Sequence, residues 1–253
     1  MIAKSKKDIE TLREAGKRMA QVVREVLALV RPGVPSMELE EAARAATIRL
    51  GAKPSYLGYK TKGEKKYPAT LCVSINDDIA HSPPMPEKIL REGDVVSIDF
   101  GLSYEGYFMD TAHTVVVGKG DKKAANLIAG TALALEEAID AVQVGGHTGD
   151  IGAAVEDVAK RYKLGVVKQL RGHGVGKAVH EDPDVPNFGK AGQGEKLQEG
   201  LVIAIEPIFS EGSGLMKDKG DGYTYTTKDG SRAAHFEHTI LITKDGPEIL
   251  TQL

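Results

Sequence analysis

Two aspartates set into apolar, β-type sequence are the first residues able to do chemistry: Asp99 in Val95-Val96-Ser97-Ile98-Asp99-Phe100, and Asp110 in Tyr107-Phe108-Met109-Asp110-Thr111. The runs are rich in β-branched and aromatic residues, and Ser103, Glu105 and Gly106 supply a turn between them, so the stretch from Glu92 to Asp110 predicts a β-hairpin. With the turn centred between Tyr104 and Glu105, Asp99 and Asp110 are equidistant from it and face each other on one side of the ladder. Cross-strand Cβ atoms lie about 4.5–5.5 Å apart. Two like charges that close, among Val, Ile and Phe, are destabilising without a partner. A bound cation is the simplest remedy; for a hairpin taken alone, carboxylates turned to solvent are the alternative.

The rest of the chain repeats the pattern. Glu92-Gly93-Asp94-Val95-Val96-Ser97-Ile98-Asp99 matches Glu199-Gly200-Leu201-Val202-Ile203-Ala204-Ile205-Glu206. Gly33-Val34-Pro35-Ser36 with Leu39 matches Gly145-Gly146-His147-Thr148 with Ile151. Phe108-Met109-Asp110-Thr111 has a loose counterpart in Phe236-Glu237-His238-Thr239, and His81 has one in His180, each ahead of a proline and upstream of an acidic strand. A duplicated α+β unit predicts a pseudo-two-fold antiparallel sheet flanked by helices, with halves of about residues 1–120 and 121–253 in a single catalytic domain. The acidic strands of both halves then converge near the axis.

Asp99, Asp110, Glu206 and Glu237 thus share one locus. Four uncompensated charges in a core are prohibitive, whereas two divalent cations balance them. Carboxylates with one imidazole suit first-row divalent metals better than a soft thiolate site does. His173, between Gly172 and Gly174, is the natural fifth ligand. Two metals about 3.5–4 Å apart activate a bridging water and polarise a carbonyl. His81 and His180 are placed to bind substrate or a tetrahedral oxyanion. His113, His147, His235 and His238 lack such placement in the repeat and read as structural. Gly172-His173-Gly174-Val175-Gly176-Lys177 lacks the spacing of a phosphate loop.

The elements that must position these groups follow from periodicity. Helices are predicted over Ile9 to Val30, over Met37 to about Leu50 with Ser36 as cap, over Lys122 to Val142, and over Asp150 to about Tyr162. Strands are predicted at Leu71 to Ile75, Val166 to Leu170, Leu201 to Ile208 and Ala234 to Thr243, with Ile249 and Leu250 pairing near the end. Between Pro54 and Pro68 an irregular stretch carries Tyr56, Tyr59 and Tyr67 around the polar insert Lys60 to Lys66; with Cys72 these form either plain packing or the wall of an apolar specificity pocket.

Composition narrows the function classes. A chain of 253 residues, 41% hydrophobic, has enough sequence to bury a sizeable core. No long apolar run predicts a membrane span and no signal core follows the basic start. Cys72 is the single cysteine, so an intramolecular disulfide is excluded and the cytoplasm is favoured. A net charge of -3 with well-mixed signs gives no nucleic-acid footprint.

Taken together the motifs resemble the type I methionine aminopeptidases of the pita-bread fold, over nearly the whole chain. The resemblance rests on Tyr67-Pro68-Ala69-Thr70-Leu71-Cys72-Val73-Ser74-Ile75-Asn76 with His81, on Val96-Ser97-Ile98-Asp99 with Met109-Asp110-Thr111, on Gly172-His173-Gly174-Val175-Gly176 with His180-Glu181-Asp182-Pro183, on Ile205-Glu206-Pro207, and on Phe236-Glu237-His238-Thr239. It implies that Asp99, Asp110, His173, Glu206 and Glu237 hold two divalent ions (Co, Mn, Fe or Zn), with Asp110 and Glu237 bridging. It implies that His81 and His180 orient substrate, that Glu206 also relays the proton, and that the methionine side chain sits among Tyr59, Tyr67, Cys72 and Tyr223, with Tyr56 and Val179 nearby. The implied reaction is removal of the initiator methionine from nascent polypeptide N-termini, at the ribosome, when the second residue is small. With no assembly motif, basic patch or apolar span in the sequence, a monomer that needs neither nucleic acid nor membrane is expected.

Only 31 positions separate Glu206 from Glu237, too few for the helical insertion of type II enzymes. The first helix starts almost at Met1, so a zinc-finger extension or a prolidase-type N-terminal domain is not expected. The chain departs from the family pattern in the long Tyr59-to-Tyr67 segment, in His81-Ser82-Pro83-Pro84 where His-Gly-Ile-Pro is usual, in Tyr223 where bacterial members often have Trp, and in Val179 where an aromatic is common. An X-Pro peptidase of the same fold and a non-catalytic pita-bread binding protein are the alternatives.

Overall fold

The four predicted helices are present, with starts set by local polar groups. The computed structural model describes residues 1–60 and 65–253; residues 61–64 of the predicted polar insert lie outside the described residues. Helix α1 (Lys6–Leu27) begins three residues before its apolar periodicity. Ser5 and Asp8 form a capping box there, the Ser5 hydroxyl accepting the Asp8 N–H and the Asp8 carboxylate accepting the Ser5 N–H. Helix α2 (Ser36–Arg49) includes Ser36 instead of being capped by it. The Ser36 hydroxyl is taken up by Met85, donating to its carbonyl and accepting its N–H, each at 3.0 Å.

In chain order there follow β1 (Lys53–Pro54), β2 (Leu71–Ile75), β3 (Asp78–Ala80), β4 (Val95–Tyr104), β5 (Tyr107–Val116), α3 (Lys122–Asp140), α4 (Thr148–Tyr162), β6 (Gly165–Val166), β7 (Gly172–Gly174), β8 (Glu181–Val185), β9 (Val202–Ile205), β10 (Ile208–Ser210), β11 (Met216–Asp218), β12 (Tyr225–Thr227), β13 (Ala233–His235), β14 (His238–Thr243) and β15 (Gly246–Ile249). The strand predicted over Val166 to Leu170 is confined to β6. The strand predicted over Leu201 to Ile208 breaks at Glu206-Pro207, where proline has no N–H for a ladder. The one predicted over Ala234 to Thr243 breaks at Phe236-Glu237. Both breaks fall at a candidate ligand and free its carboxylate from strand alternation. Among the described residues no helix is long and apolar enough to cross a membrane.

The central hairpin is β4–β5. Glu105 and Gly106 form its two-residue turn with φ of 48° and 79°, the signs of the turn that matches strand twist. The turn is therefore centred one residue later than symmetry about Asp99 and Asp110 requires. Asp99 pairs with Ala112 and Asp110 with Gly101. The two carboxylates share a face as expected, but as diagonal neighbours and not directly opposite. The other face, with Ile98, Phe100, Leu102 and Met109, packs on α1 and α2 through Leu12, Met19 and Leu39. A second core joins α3 and α4 to β9, β13 and β14, through Leu127, Ala134, Val155, Ile203 and Ile205.

The repeat is visible in the hydrogen bonds. Gly93 N–H donates to Val117 O and Val117 N–H to Asp94 O; likewise Gly200 N–H donates to Ile242 O and Ile242 N–H to Leu201 O. Pro35 bridges to Ile89 as His147 bridges to Lys196. β5 meets the second half through a backbone bridge between Ala112 and Glu237, and near its start the Phe108 N–H donates to the Gly176 carbonyl. On either side a threonine hydroxyl replaces the ladder. Thr239 accepts the Asp110 N–H at 3.0 Å and donates to the Asp110 carbonyl at 2.8 Å. Thr114 does the same with His235, at 2.9 and 2.7 Å. His113-Thr114 therefore corresponds to His238-Thr239, three positions away from the loose match of Asp110-Thr111 with His238-Thr239. In the corrected register Ala112 corresponds to Glu237, and Asp110 to His235.

Candidate metal centre and side-chain pocket

Each candidate ligand comes from a different backbone device. Asp99 and Asp110 project from the shared face of β4 and β5. His173 sits on β7, paired to Ala204 of β9. Its flanking glycines are required by close packing: a Cβ on Gly172 would lie 2.2 Å from the Ala204 carbonyl oxygen, and one on Gly174 2.1 Å from that of Asp182. His173 Nδ1 donates to the Gly174 carbonyl at 2.9 Å, which leaves Nε2 as the free lone pair, 4.0 Å from Asp110 Oδ2. Glu206 follows β9 and Glu237 lies between β13 and β14. Asp110, His173 and Glu237 bring one donor atom each within 4.8 Å of one another.

Asp99, Asp110 and Glu237 are all at most 5% exposed. Among the described residues no Lys or Arg forms an ion pair with any of the four carboxylates. Burial pushes all four upward from the ordinary carboxylate range. Asp110, Glu206 and Glu237 go well above it, because Asp99 or another of the four adds its charge after burial. Burial also holds His173 and His180 down at about 4, so both imidazoles are neutral at pH 7. Neutral imidazole and clustered carboxylates are the donor set of a hard or borderline divalent cation. The polar atoms left over agree: Glu237 Oε1 and both ring nitrogens of His235 are buried without a hydrogen-bond partner.

His235 is the residue that the repeat, aligned on its acids, placed among the structural histidines. It is 3% exposed, with Nε2 3.4 Å from Glu206 Oε2 and 3.7 Å from Glu237 Oε2. Its equivalence to Asp110 was available in the sequence, through the shared His-Thr of Ala112-His113-Thr114 and Glu237-His238-Thr239. His113 and His238 lie against each other, ring centroids 5.3 Å apart, and His147 caps α4.

Two adjoining cavities serve the cluster. The wider, about 550 Å³, is lined by the four carboxylates with His81, His173, His180 and His235. The narrower, about 130 Å³, is lined by Tyr59, Tyr67, Cys72 and Tyr223, and shares Tyr56, His81 and His180 with the first. Tyr67 meets Tyr56 and Tyr223 edge-on, at 6.3 and 5.8 Å between centroids. Burial pushes the Cys72 thiol well up, so it stays protonated and acts as an apolar wall. Val179 is buried before His180 but lines neither cavity. The Tyr59 hydroxyl lies 2.8 Å from His180 Nδ1, and the His180 ring stands 4.4 Å from that of His173. His81 holds a positive φ of 56°, and its ring lies 5.6 Å from that of Tyr225, tilted against it.

Comparison with known proteins agrees with this geometry. Residues 10–244 match the family model of metallopeptidase family M24. A methionine aminopeptidase of Aquifex aeolicus is 47% identical over 254 residues, covering 98% of this chain and 98% of that protein. The crystal structure of methionine aminopeptidase from Thermotoga maritima superposes with a TM-score of 0.95 at 40% identity, covering all of both chains. A prolidase from Pyrococcus furiosus, at 23% identity, TM-score 0.79 and 66% of its own length covered, shares the fold alone. The chain has the pita-bread fold, and it belongs to metallopeptidase family M24, among the methionine aminopeptidases.

Proposed function

We propose that this chain removes the N-terminal methionine of nascent polypeptides whose second residue is small, using two divalent cations held by Asp99, Asp110, His173, Glu206 and Glu237, with Asp110 and Glu237 shared. The observation that carries the reading is the meeting of four clustered carboxylates, none ion-paired to a Lys or Arg among the described residues, with a tyrosine-walled apolar pocket across His81 and His180. Two dications neutralise four carboxylates, and neutral His173 adds a donor without adding charge. When bound, such a pair supplies Lewis acidity and water activation at neutral pH. Cobalt, manganese, iron and zinc all suit the donor set.

The protein's own groups complete the chemistry. The methionine side chain enters among Tyr59, Tyr67, Cys72 and Tyr223, with Tyr56 at the inner end. With Tyr59 donating to His180 Nδ1, the ring proton sits on Nε2 and points a hydrogen-bond donor at the scissile carbonyl as its oxygen gains charge. His81 approaches the same cavity from β3 and orients the peptide. Glu206, beside both the cation site and the cavity, takes a proton from the attacking water and passes it to the leaving amine. The whole chain acts as one catalytic unit and as a monomer, in the cytosol on chains leaving the ribosome; a buried free thiol as the sole cysteine fits a reducing compartment.

The test is to dialyse the protein against chelator, restore Co, Mn, Fe or Zn singly, and offer Met-Ala-Ser beside Ala-Pro peptides. Metal-dependent release of methionine, with Ala-Pro left intact, is expected. No metal-dependent release of methionine would sink the proposal.

A further inference from the structure

Tyr56 stands where the two cavities meet. Its ring walls the tyrosine pocket edge-on to Tyr67, and its hydroxyl enters the carboxylate cavity. The hydroxyl donates to Asp99 Oδ1 at 2.7 Å and also contacts Asp110 Oδ1. β4 is shaped to seat it. A Cβ on Gly101 would come within 2.6 Å of Tyr56 Cε1 and 2.2 Å of Ser55 Oγ. Gly101 is the residue paired with Asp110, and its carbonyl accepts the Ser55 N–H at 3.0 Å. The strand gives up a side chain opposite Asp110, and Tyr56 fills the space.

Diagonal neighbours on a sheet lie about 7–8 Å apart, so strand geometry alone does not bring Asp99 and Asp110 to one point. A phenol has one proton and an ionised carboxylate only accepts, so the Tyr56 hydroxyl holds the two carboxylates together by sharing that proton between Asp99 and Asp110. On the two-cation reading above, we infer that Tyr56 is a positioning residue of the metal centre: its hydroxyl fixes the separation and orientation of Asp99 and Asp110, and its ring ties that arrangement to the wall of the methionine pocket. Of the other wall residues, the Cys72 thiol hydrogen-bonds Asp99 alone of the two aspartates, and the hydroxyls of Tyr59, Tyr67 and Tyr223 go to His180, to the Leu71 carbonyl and to the Lys66 carbonyl, so Tyr56 is the one that reaches both aspartates.

Tyr56→Phe keeps the ring and deletes the hydroxyl. Cobalt(II) is titrated calorimetrically into chelator-stripped wild type, Tyr56→Phe and Gly101→Ala, with the visible d–d absorption recorded on each and a thermal melt confirming the fold. Loss of a group that orients a ligand typically weakens metal binding about 10–100-fold, which is the rise in Kd expected for Tyr56→Phe together with a changed d–d spectrum. Gly101→Ala retains the hydroxyl but crowds the ring from its seat, and weakens cobalt binding in the same direction. A Tyr56→Phe protein that binds cobalt within about twofold of wild type, with an unchanged spectrum, overturns the inference. Failure of the functional proposal is distinguishable: wild type then binds cobalt without releasing methionine from Met-Ala-Ser, and the difference in Kd between wild type and Tyr56→Phe stands.

Discussion

Replacing Thr239 by valine removes one oxygen from the junction of the halves and leaves the shape of the side chain. That oxygen accepts the Asp110 N–H at 3.0 Å and donates to the Asp110 carbonyl at 2.8 Å, in a fully buried position. Asp110 lies opposite Gly101 in a pair whose backbone groups point away from β4, so both groups then face a methyl. A buried backbone group left without a partner costs about 1–3 kcal/mol, and two are stranded, giving about 2–6 kcal/mol. With an m-value of about 3 kcal/mol/M, urea denaturation of the chelated protein shows a midpoint lower by about 0.7–2 M. Thr239→Ser keeps the oxygen and stays within about 1 kcal/mol of wild type, a small cavity cost. Because the Asp110 carboxylate rides on the same residue, Thr239→Val also weakens cobalt binding. A midpoint for Thr239→Val equal to that of wild type refutes the view that this hydroxyl joins the halves and aims Asp110.

Further outcomes follow from the same geometry. Asp110→Ala abolishes metal binding by calorimetry, whereas His180→Ala leaves metal bound and mainly lowers kcat; full activity in either contradicts the site assignment. His235→Leu, which removes a nitrogen 3.4 Å from Glu206, raises the cobalt Kd by about 10–100-fold if the imidazole orients that ligand, and an unchanged Kd assigns it to packing. Burial, then mutual repulsion, raises Asp110, Glu206 and Glu237 in the metal-free protein, so the folded state holds protons that the unfolded chain has released. Their contribution is intact below the unfolded carboxylate range and is lost as pH rises through the raised values. The buried histidines work the other way but are neutral in both states above pH 7. The rise in Tm on adding cobalt therefore grows as pH rises through the raised carboxylate values; a rise that shrinks over that range would count against proton–metal exchange at the carboxylates.

Much of the site was legible in the sequence because buried charge is rare and must be explained. Asp99, Asp110, Glu206 and Glu237 each stood in apolar β-type sequence, and the repeat of Glu-Gly-x-Val-x-x-Ile-acid put two of them in equivalent strands. His173 was marked by glycines that the packing of β7 against Ala204 and Asp182 does require. What escaped was set by details that types and spacing do not encode. The hairpin register depended on Glu105 accepting a positive φ, which moved the turn by one residue. The strand breaks at Glu206-Pro207 and Phe236-Glu237 turned two continuous apolar runs into four short strands and freed two candidate ligands. His235 was overlooked because the repeat was aligned on its acids, whereas the backbone aligns it on Thr114 and Thr239, whose hydroxyls replace the ladder at the junction. Tyr56 was placed in the pocket from its ring; nothing in its neighbours announced a hydroxyl reaching two carboxylates.

The most direct measurement is anomalous diffraction from crystals of the cobalt-loaded protein, recorded at the cobalt absorption edge. Two peaks are expected inside the ring of Asp99, Asp110, His173, Glu206 and Glu237, with Asp110 and Glu237 contacting both. No peak there, a single peak at saturating cobalt, or peaks at other residues would contradict a two-cation centre at the junction of the halves.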